Sequence, residues 1–118
     1  MFSFLKARIR SFGYALRGIG ILIRTQPHAR IHAVATVTVL IAGHFLHLRG
    51  SEWIAVLLCI ALVWVAEALN TALEFLADEI STEHRVGIGR AKDVAAGGVL
   101  IAALISVAVA VVILLRFF

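Results

Sequence analysis

The chain has 118 residues, of which 62% are hydrophobic and 15% are charged, and its formal net charge is +4. A soluble domain of this length cannot bury so much apolar side chain, because small domains hide only part of their surface. Long uncharged runs instead predict one domain, residues 1–118, that is an all-α integral membrane protein. They exclude a transmembrane β-barrel, whose strands are about ten residues long and alternate polar with apolar residues.

Residues 1–24 are predicted to form an amphipathic helix that lies in the membrane surface. Apolar residues recur at steps of three and four, at Phe2, Leu5, Ile9, Phe12, Leu16, Ile19 and Ile23. Basic residues form a separate stripe that suits anionic headgroups, at Lys6, Arg10, Arg17 and Arg24. The sequence Thr25-Gln26-Pro27 then interrupts the pattern, and Pro27 suits the first turn of a new helix.

Three apolar segments are predicted to cross the membrane, at about residues 30–48, 53–77 and 94–115. The first of them is the least apolar, because it contains Thr36, Thr38, His44 and His47. The third has no charge and a small residue at every fourth position, a pattern typical of close helix packing, at Gly98, Ala102, Ser106 and Ala110. The polar residues 78–92 are predicted to form a loop.

The basic residues predict which side of the membrane each segment faces. Six Lys or Arg residues lie in the first thirty positions without an acid, and the 78–92 loop adds Arg85, Arg90 and Lys92. The turn at 49–52 carries only Arg49. By the positive-inside rule, the N-terminus and the 78–92 loop are predicted to be cytoplasmic.

A stripe of acidic and amide side chains occupies the end of the second segment. At 100° per residue, Glu67, Asn70, Glu74 and Asp78 fall within an arc of about 80° on one helix face. Twenty-five helical residues reach about 38 Å, so the end of segment 53–77 projects beyond a hydrocarbon core of about 30 Å. The stripe is therefore predicted at the cytoplasmic interface, where ionisable groups indicate a functional site.

The residue types of this region suit phosphoryl transfer. Carboxylates without nitrogen or sulfur ligands favour Mg²⁺, which binds through one or two carboxylates and substrate phosphates. Arg90 and Lys92, next to Asp93, can hold phosphate oxygens, and a metal-free carboxylate can accept a proton from a hydroxyl. Positioning and charge neutralisation supply most of the catalysis of such reactions. The chain has no Gly-x-x-x-x-Gly-Lys-[Ser/Thr] motif and is not predicted to be a P-loop enzyme.

Two segments closely resemble the signature of the prokaryotic diacylglycerol kinases and undecaprenol kinases: Glu67-Ala-Leu-Asn-Thr-Ala-Leu-Glu74 and Gly89-Arg-Ala-Lys-Asp-Val-Ala-Ala-Gly-Gly-Val-Leu100. The resemblance covers nearly the whole chain, including residues 12–18 and 30–32. It implies a homotrimer of three-span protomers with a surface helix, in the bacterial inner membrane. It also implies that MgATP phosphorylates a lipid alcohol, diacylglycerol or undecaprenol, in active sites shared between protomers, with no nucleic-acid partner.

The same resemblance implies roles for individual residues. Glu67 matches the general base and Glu74 matches a metal-binding carboxylate. Residues on the nucleotide or cofactor side are Arg17, Asn70, Asp78, Glu83, Arg90, Lys92 and Asp93. Gln26 stands where family members commonly have a glutamate as second metal ligand, and a neutral amide is a poorer Mg²⁺ ligand. Arg85 stands where some members have a histidine.

Two other classes of protein remain open from the sequence. A small ion- or proton-handling membrane protein also carries intramembrane carboxylates, and the Gln26 difference is compatible with a non-catalytic scaffold descended from the kinase fold. His28 and His32 are one helical turn apart and can bind a metal only with further ligands, so headgroup or interface contacts are the favoured interpretation. The sequence does not select between the two lipids.

Overall fold

A computed structural model describes all residues, 1–118, and contains four α-helices and no strand. In chain order they are α1 (Phe2–Thr25), α2 (Pro27–Phe45), α3 (Gly50–Ile80) and α4 (Val86–Leu115). The all-α class predicted from composition is confirmed.

One residue, Gln26, separates α1 from α2, and its backbone is extended while Pro27 occupies the first position of α2. The side chain of Arg30 fixes this corner, because its guanidinium donates hydrogen bonds to the carbonyl oxygens of Ile23 and Arg24. The last carbonyls of a helix have no partner within the helix. Arg30 therefore caps α1 from the first turn of α2 and sets the angle between the two helices.

The helices α2 and α3 form an antiparallel hairpin joined by residues 46–49. The turn is a Schellman motif: the N–H of Leu48 donates to the carbonyl of Gly43, the N–H of His47 donates to that of His44, and His47 has a φ of 53°. Below the turn, the indole of Trp53 packs on Gly43 so closely that a Cβ there would lie 2.7 Å from the ring.

The helices α3 and α4 form a second antiparallel hairpin, and they pack along most of their length. The open end of this hairpin is closed by Glu52 near the start of α3 and Arg116 just after α4, which share two hydrogen bonds of 2.9 and 2.6 Å. Between them, Ala102 is buried and Ser106 is half-buried, whereas Gly98 and Ala110 of the same small-residue repeat are exposed. Only half of the predicted small-residue face therefore serves contacts within the protomer.

The connection between α3 and α4 differs from the predicted loop over 78–92. Helix α3 continues to Ile80, α4 begins at Val86, and only residues 81–85 are not helical. Gly87 and Gly89 lie inside the first turn of α4, where glycine costs about 1 kcal/mol relative to alanine without preventing a helix. The polar residues that suggested a loop are side chains on helices that extend beyond the apolar segments.

Two helices, α3 and α4, are long and apolar enough to cross a membrane. Helix α2 is not one of them: its 19 residues reach about 28 Å, and its apolar surface is interrupted by Thr36, Thr38 and His44. The predicted span at 30–48 therefore corresponds to a helix, and its passage through the membrane stays a prediction.

The protomer buries very little of its apolar surface. Only nine of 118 residues are buried, and most large apolar side chains of all four helices point outward. Soluble monomers do not expose apolar patches of this extent. The outer surface of the helices is therefore suited to contact with lipid or with other protein chains.

Candidate active site

The predicted polar stripe lies on one continuous helical face of α3, and its members are buried to different degrees. Glu67 is 4% exposed, Asn70 and Glu74 are half-buried, and Asp78 is exposed. Thr71, one turn after Glu67, is also 4% exposed. The face thus runs from a buried carboxylate at one end to a solvated carboxylate at the other.

Glu67 faces His32 of α2. The Nε2 atom of His32 lies 3.6 Å from Oε2 of Glu67, and the two side chains are 19% and 5% exposed. Trp64, one turn before Glu67, meets the ring of His32 edge-on and donates its indole N–H to Oγ1 of Thr36 at 2.9 Å. The carboxylate is therefore held between α2 and α3 with one nitrogen base in front of it.

Three buried polar atoms around Glu67 have no hydrogen-bond partner: Nε2 of His32, Oδ1 of Asn70 and Oγ1 of Thr71. Each such atom costs about 1–3 kcal/mol when it stays unpaired. Native proteins contain few of them, and a catalytic role or a bound water or ion is a common explanation. This cluster includes Asn70, the next residue of the stripe, and Thr71, which lies one helical turn after Glu67.

The exposed end of the stripe meets α4. Nζ of Lys92 lies 3.2 Å from Oδ1 of Asp78, and the side chains are 39% and 61% exposed. An ion pair this exposed contributes at most about 1 kcal/mol to stability, so a phosphate group can compete for the ammonium. Arg90 and Asp93 are exposed at neighbouring positions of α4.

The other predicted residues lie on separate elements. Arg17 is exposed on α1, with its guanidinium over the ring of Tyr14 at 5.5 Å. Glu83 is exposed in the 81–85 connection, where its N–H donates to Oγ of Ser81. Gln26 sits at the α1–α2 corner and donates to Oγ1 of Thr25 at 3.3 Å. No hydrogen bond or ion pair joins these three residues to the stripe within one protomer.

The donor set can hold Mg²⁺ only with help from a ligand. No group of three or more His, Cys, Asp or Glu side chains is close enough to bind a metal ion. Mg²⁺ is commonly bound by one or two carboxylates while substrate phosphates and waters complete its octahedron. Glu74, a half-buried carboxylate between Glu67 and Asp78, fits this mode, whereas a closed all-protein site is absent.

Two apolar grooves adjoin the buried end of the stripe. One, of about 220 Å³, lies between α2, α3 and α4, and His32 and Thr36 form its polar end. The other, of about 350 Å³, lies between α1 and α3, and Thr71 is one of its lining residues. Glu67 lines neither groove, but its neighbours do: His32 lines the first and Thr71 lines the second.

Sequence reasoning missed His32 and Thr71 as neighbours of Glu67. The contact between His32 and Glu67 depends on how α2 and α3 are aligned along their length. Because only residues 46–49 link the two helices, this alignment can be estimated by counting residues from the turn. His32 lies 13 residues before the end of α2 and Glu67 lies 17 residues after the start of α3. A hairpin brings such positions to within about one turn of each other.

The sequence of the chain matches a known protein family. The model of the family described as prokaryotic diacylglycerol kinase matches residues 13–114. The chain is 39% identical to an undecaprenol kinase of Bacillus subtilis, over 90% of this chain and 86% of the relative. It is also 39% identical to a diacylglycerol kinase of Synechocystis, over 84% of this chain and 57% of the relative. A diacylglycerol kinase of Escherichia coli K12 is 28% identical, over 84% and 81% respectively.

Proposed function

Because the chain belongs to the prokaryotic diacylglycerol kinase family and is a lipid kinase, we propose that it transfers the γ-phosphoryl group of MgATP to the primary hydroxyl of a membrane lipid. The lipid is diacylglycerol or undecaprenol, and the reaction takes place at the cytoplasmic face of the bacterial inner membrane. One observation carries this proposal: Glu67 is buried at one end of the polar face of α3, and Lys92 of α4 pairs with Asp78 at its other end.

In this mechanism Glu67 is the general base. It takes the proton of the lipid hydroxyl as the oxygen attacks the γ-phosphorus, and the bond from that phosphorus to the bridging oxygen breaks. Oδ1 of Asn70 accepts a hydrogen bond and the hydroxyl of Thr71 accepts or donates one, which orients the reacting groups and gives these atoms the partners that they lack. General-base catalysis of this kind contributes about 10²–10⁴-fold to the rate.

The exposed end of the stripe handles the nucleotide. Lys92 exchanges Asp78 for phosphate oxygens and offsets the charge that spreads over the transferring group. Other charged side chains extend the surface around the phosphates and the base of ATP: Arg90, Asp93, Glu83 and Arg17. Glu74 would hold Mg²⁺, which when bound neutralises charge on the phosphates; Gln26 is a weaker second ligand.

The membrane arrangement that we propose has α1 on the cytoplasmic surface and α2, α3 and α4 across the bilayer. The basic N-terminal helix supports this orientation, and the length of α3 supports the position of its stripe at the interface. The lipid hydroxyl reaches Glu67 from within the bilayer, and the apolar chain of the lipid lies in one of the two grooves that His32 and Thr71 line.

The decisive experiment is transfer of phosphate from γ-labelled ATP to diacylglycerol and to undecaprenol, measured side by side in bilayers with and without Mg²⁺. We expect Mg²⁺-dependent product and a loss of at least about 100-fold in kcat for Glu67→Gln, the share of a general base. Glu79→Gln is the matched control, because Glu79 is exposed on the same helix and lies off the stripe.

Product on one lipid alone would identify the substrate. Equal activity of Glu67→Gln and Glu79→Gln would refute Glu67 as the base while leaving the kinase in place. A well-folded wild-type protein that phosphorylates neither lipid would refute the proposed activity and favour a non-catalytic scaffold.

A further inference from the structure

His32 faces the carboxylate of Glu67 but has no role in the reaction proposed above. Glu67 makes no other ion pair, and its side chain is 5% exposed. Burying a carboxylate is costly unless a partner compensates for the lost water. His32 Nε2 is itself buried and without a hydrogen-bond partner, so one contact would satisfy both groups.

The separation of the two groups is close to bonding distance. Nε2 of His32 and Oε2 of Glu67 are 3.6 Å apart, a few tenths of an ångström beyond an N–H···O hydrogen bond. Catalytic hydrogen bonds are often long in ligand-free structures and shorten when the substrate binds. Closing this gap takes a movement of only a few tenths of an ångström.

The surroundings of His32 hold its ring in this direction. Thr36 donates its hydroxyl to the carbonyl oxygen of His32 at 2.7 Å and accepts the indole N–H of Trp64 at 2.9 Å. The Trp64 ring stands edge-on to the imidazole, with the ring centroids 6.4 Å apart. The hydrogen bond to Thr36 thus holds the Trp64 indole, and this indole bounds the imidazole on one side next to the carboxylate.

We propose that His32 is a positioning residue for Glu67. Nε2–H donates to Oε2 of Glu67, fixes the rotation of the carboxylate, and leaves the second carboxylate oxygen free to take the proton of the lipid hydroxyl. This inference rests on the proposed function, because it gives Glu67 the role of base. In this proposal His32 contacts no reacting atom and acts through Glu67.

The kinetic test compares His32→Ala with His32→Gln, whose side-chain amide places an N–H near the position of Nε2. We expect His32→Ala to lower kcat by about 10- to 100-fold, the loss expected when a hydrogen bond to a charged group is removed. The KM for ATP should stay within about twofold, because the nucleotide binds at the other end of the stripe. His32→Gln should recover most of the loss.

The matched control is His44→Ala, at the other end of α2, where the imidazole contacts the ring of Phe45. It should keep wild-type kcat. Equal kcat for His32→Ala and wild type would overturn the proposal, as would a loss in His32→Ala that His32→Gln does not restore.

A spectroscopic measurement tests the contact without turnover. In protein labelled with ¹⁵N-histidine, the resonance that disappears in His32→Gln identifies the imidazole of His32. We expect its Nε2 shift to change in Glu67→Gln and to stay in place in Glu79→Gln. No change in Glu67→Gln would overturn the contact.

The two proposals fail in different ways. An inactive wild-type protein would overturn the proposed function and the role of His32 in it, even if the imidazole resonance responds to Glu67→Gln. An active wild type with an unaffected His32→Ala variant would overturn the role of His32 alone.

Discussion

A close contact between Gly43 and Trp53 limits the distance between α2 and α3 near the turn of their hairpin. Gly43 faces the indole of Trp53, and a Cβ on Gly43 would lie 2.7 Å from Cη2 and 3.1 Å from Cζ2 of that ring. Contacts below 3 Å cannot persist, so a larger residue forces the indole away. Glycine here is a packing requirement and not a conformational one, because the residue is helical.

Gly43→Ala is expected to destabilise the protein by about 1–3 kcal/mol, the usual cost of overpacking a tight contact. Thermal unfolding in detergent, followed by circular dichroism, measures the effect. Gly13→Ala is the control, because no atom lies within 4 Å of the added Cβ there; it should be neutral or stabilising by up to about 1 kcal/mol. Equal unfolding temperatures for the two variants would contradict the contact.

At the scale of helices, Glu52 and Arg116 close the open end of the α3–α4 hairpin. Both groups lie outside the predicted spans at 53–77 and 94–115. Hydrogen bonds from Arg116, followed by the one from the N–H of Arg49, lower the pKa of Glu52 from 4.5 to about 2. A carboxylate with a depressed pKa contributes stability above its unfolded-state pKa, and that stability is lost as the pH falls through its folded-state pKa.

The contribution of this pair should therefore depend on pH in a defined window. The unfolding temperature of wild type should exceed that of Glu52→Gln by a constant margin from pH 7 to about pH 5. The margin should then shrink as the pH falls from 4.5 toward 2. Thermal scans of both proteins across this range measure it. A margin that grows on acidification would contradict the direction of the shift.

Sequence patterns predicted the helices better than their ends. The apolar periodicity located α1, α3 and α4, but the polar run 78–92 suggested a loop where only residues 81–85 are not helical. Hydropathy reports where a chain leaves hydrocarbon, whereas a helix ends where its backbone hydrogen bonds end. In α3 and α4 these two boundaries are several residues apart.

Only part of the candidate site could be predicted from the sequence, namely the residues that share one face of α3. Spacing alone placed Glu67, Asn70, Glu74 and Asp78 on one face, because that pattern is local to a single helix. The partners of this face were harder to find, since His32 reaches Glu67 only through the register between α2 and α3. That register is set by the turn at 46–49, including the left-handed residue His47.

At the scale of the whole molecule, one protomer does not complete the proposed site. Only nine of the 118 residues are buried. Three predicted site residues lie apart from the stripe, namely Arg17, Gln26 and Glu83. No group of three or more metal-binding side chains forms within one protomer. Copies of the chain that pack side by side can supply the missing groups and cover apolar surface. These observations favour an oligomer. The resemblance to the kinase family implies that the oligomer is a homotrimer, and we propose this assembly.

Native mass spectrometry in detergent should show a species of three protomers, each of 12.8 kDa. Chemical cross-linking in bilayers should give the same stoichiometry, because contacts between protomers, and not detergent molecules, would hold the proposed trimer together. A fully active sample that contains only monomers by both methods would refute the trimer.

The graded burial along α3 has a consequence for how the two substrates arrive. Glu67 and Asp78 are eleven residues apart, a rise of about 16 Å along the helix axis. The acceptor can reach the buried carboxylate by lateral diffusion in two dimensions, while the donor collides from the aqueous phase in three. In the mechanism that we propose, the lipid stays in the bilayer and the nucleotide arrives from water, so the two substrates use separate entrances. The γ-phosphoryl group must still extend along the polar face from Lys92 until its phosphorus meets the lipid oxygen beside Glu67, because the transfer is a direct, in-line displacement.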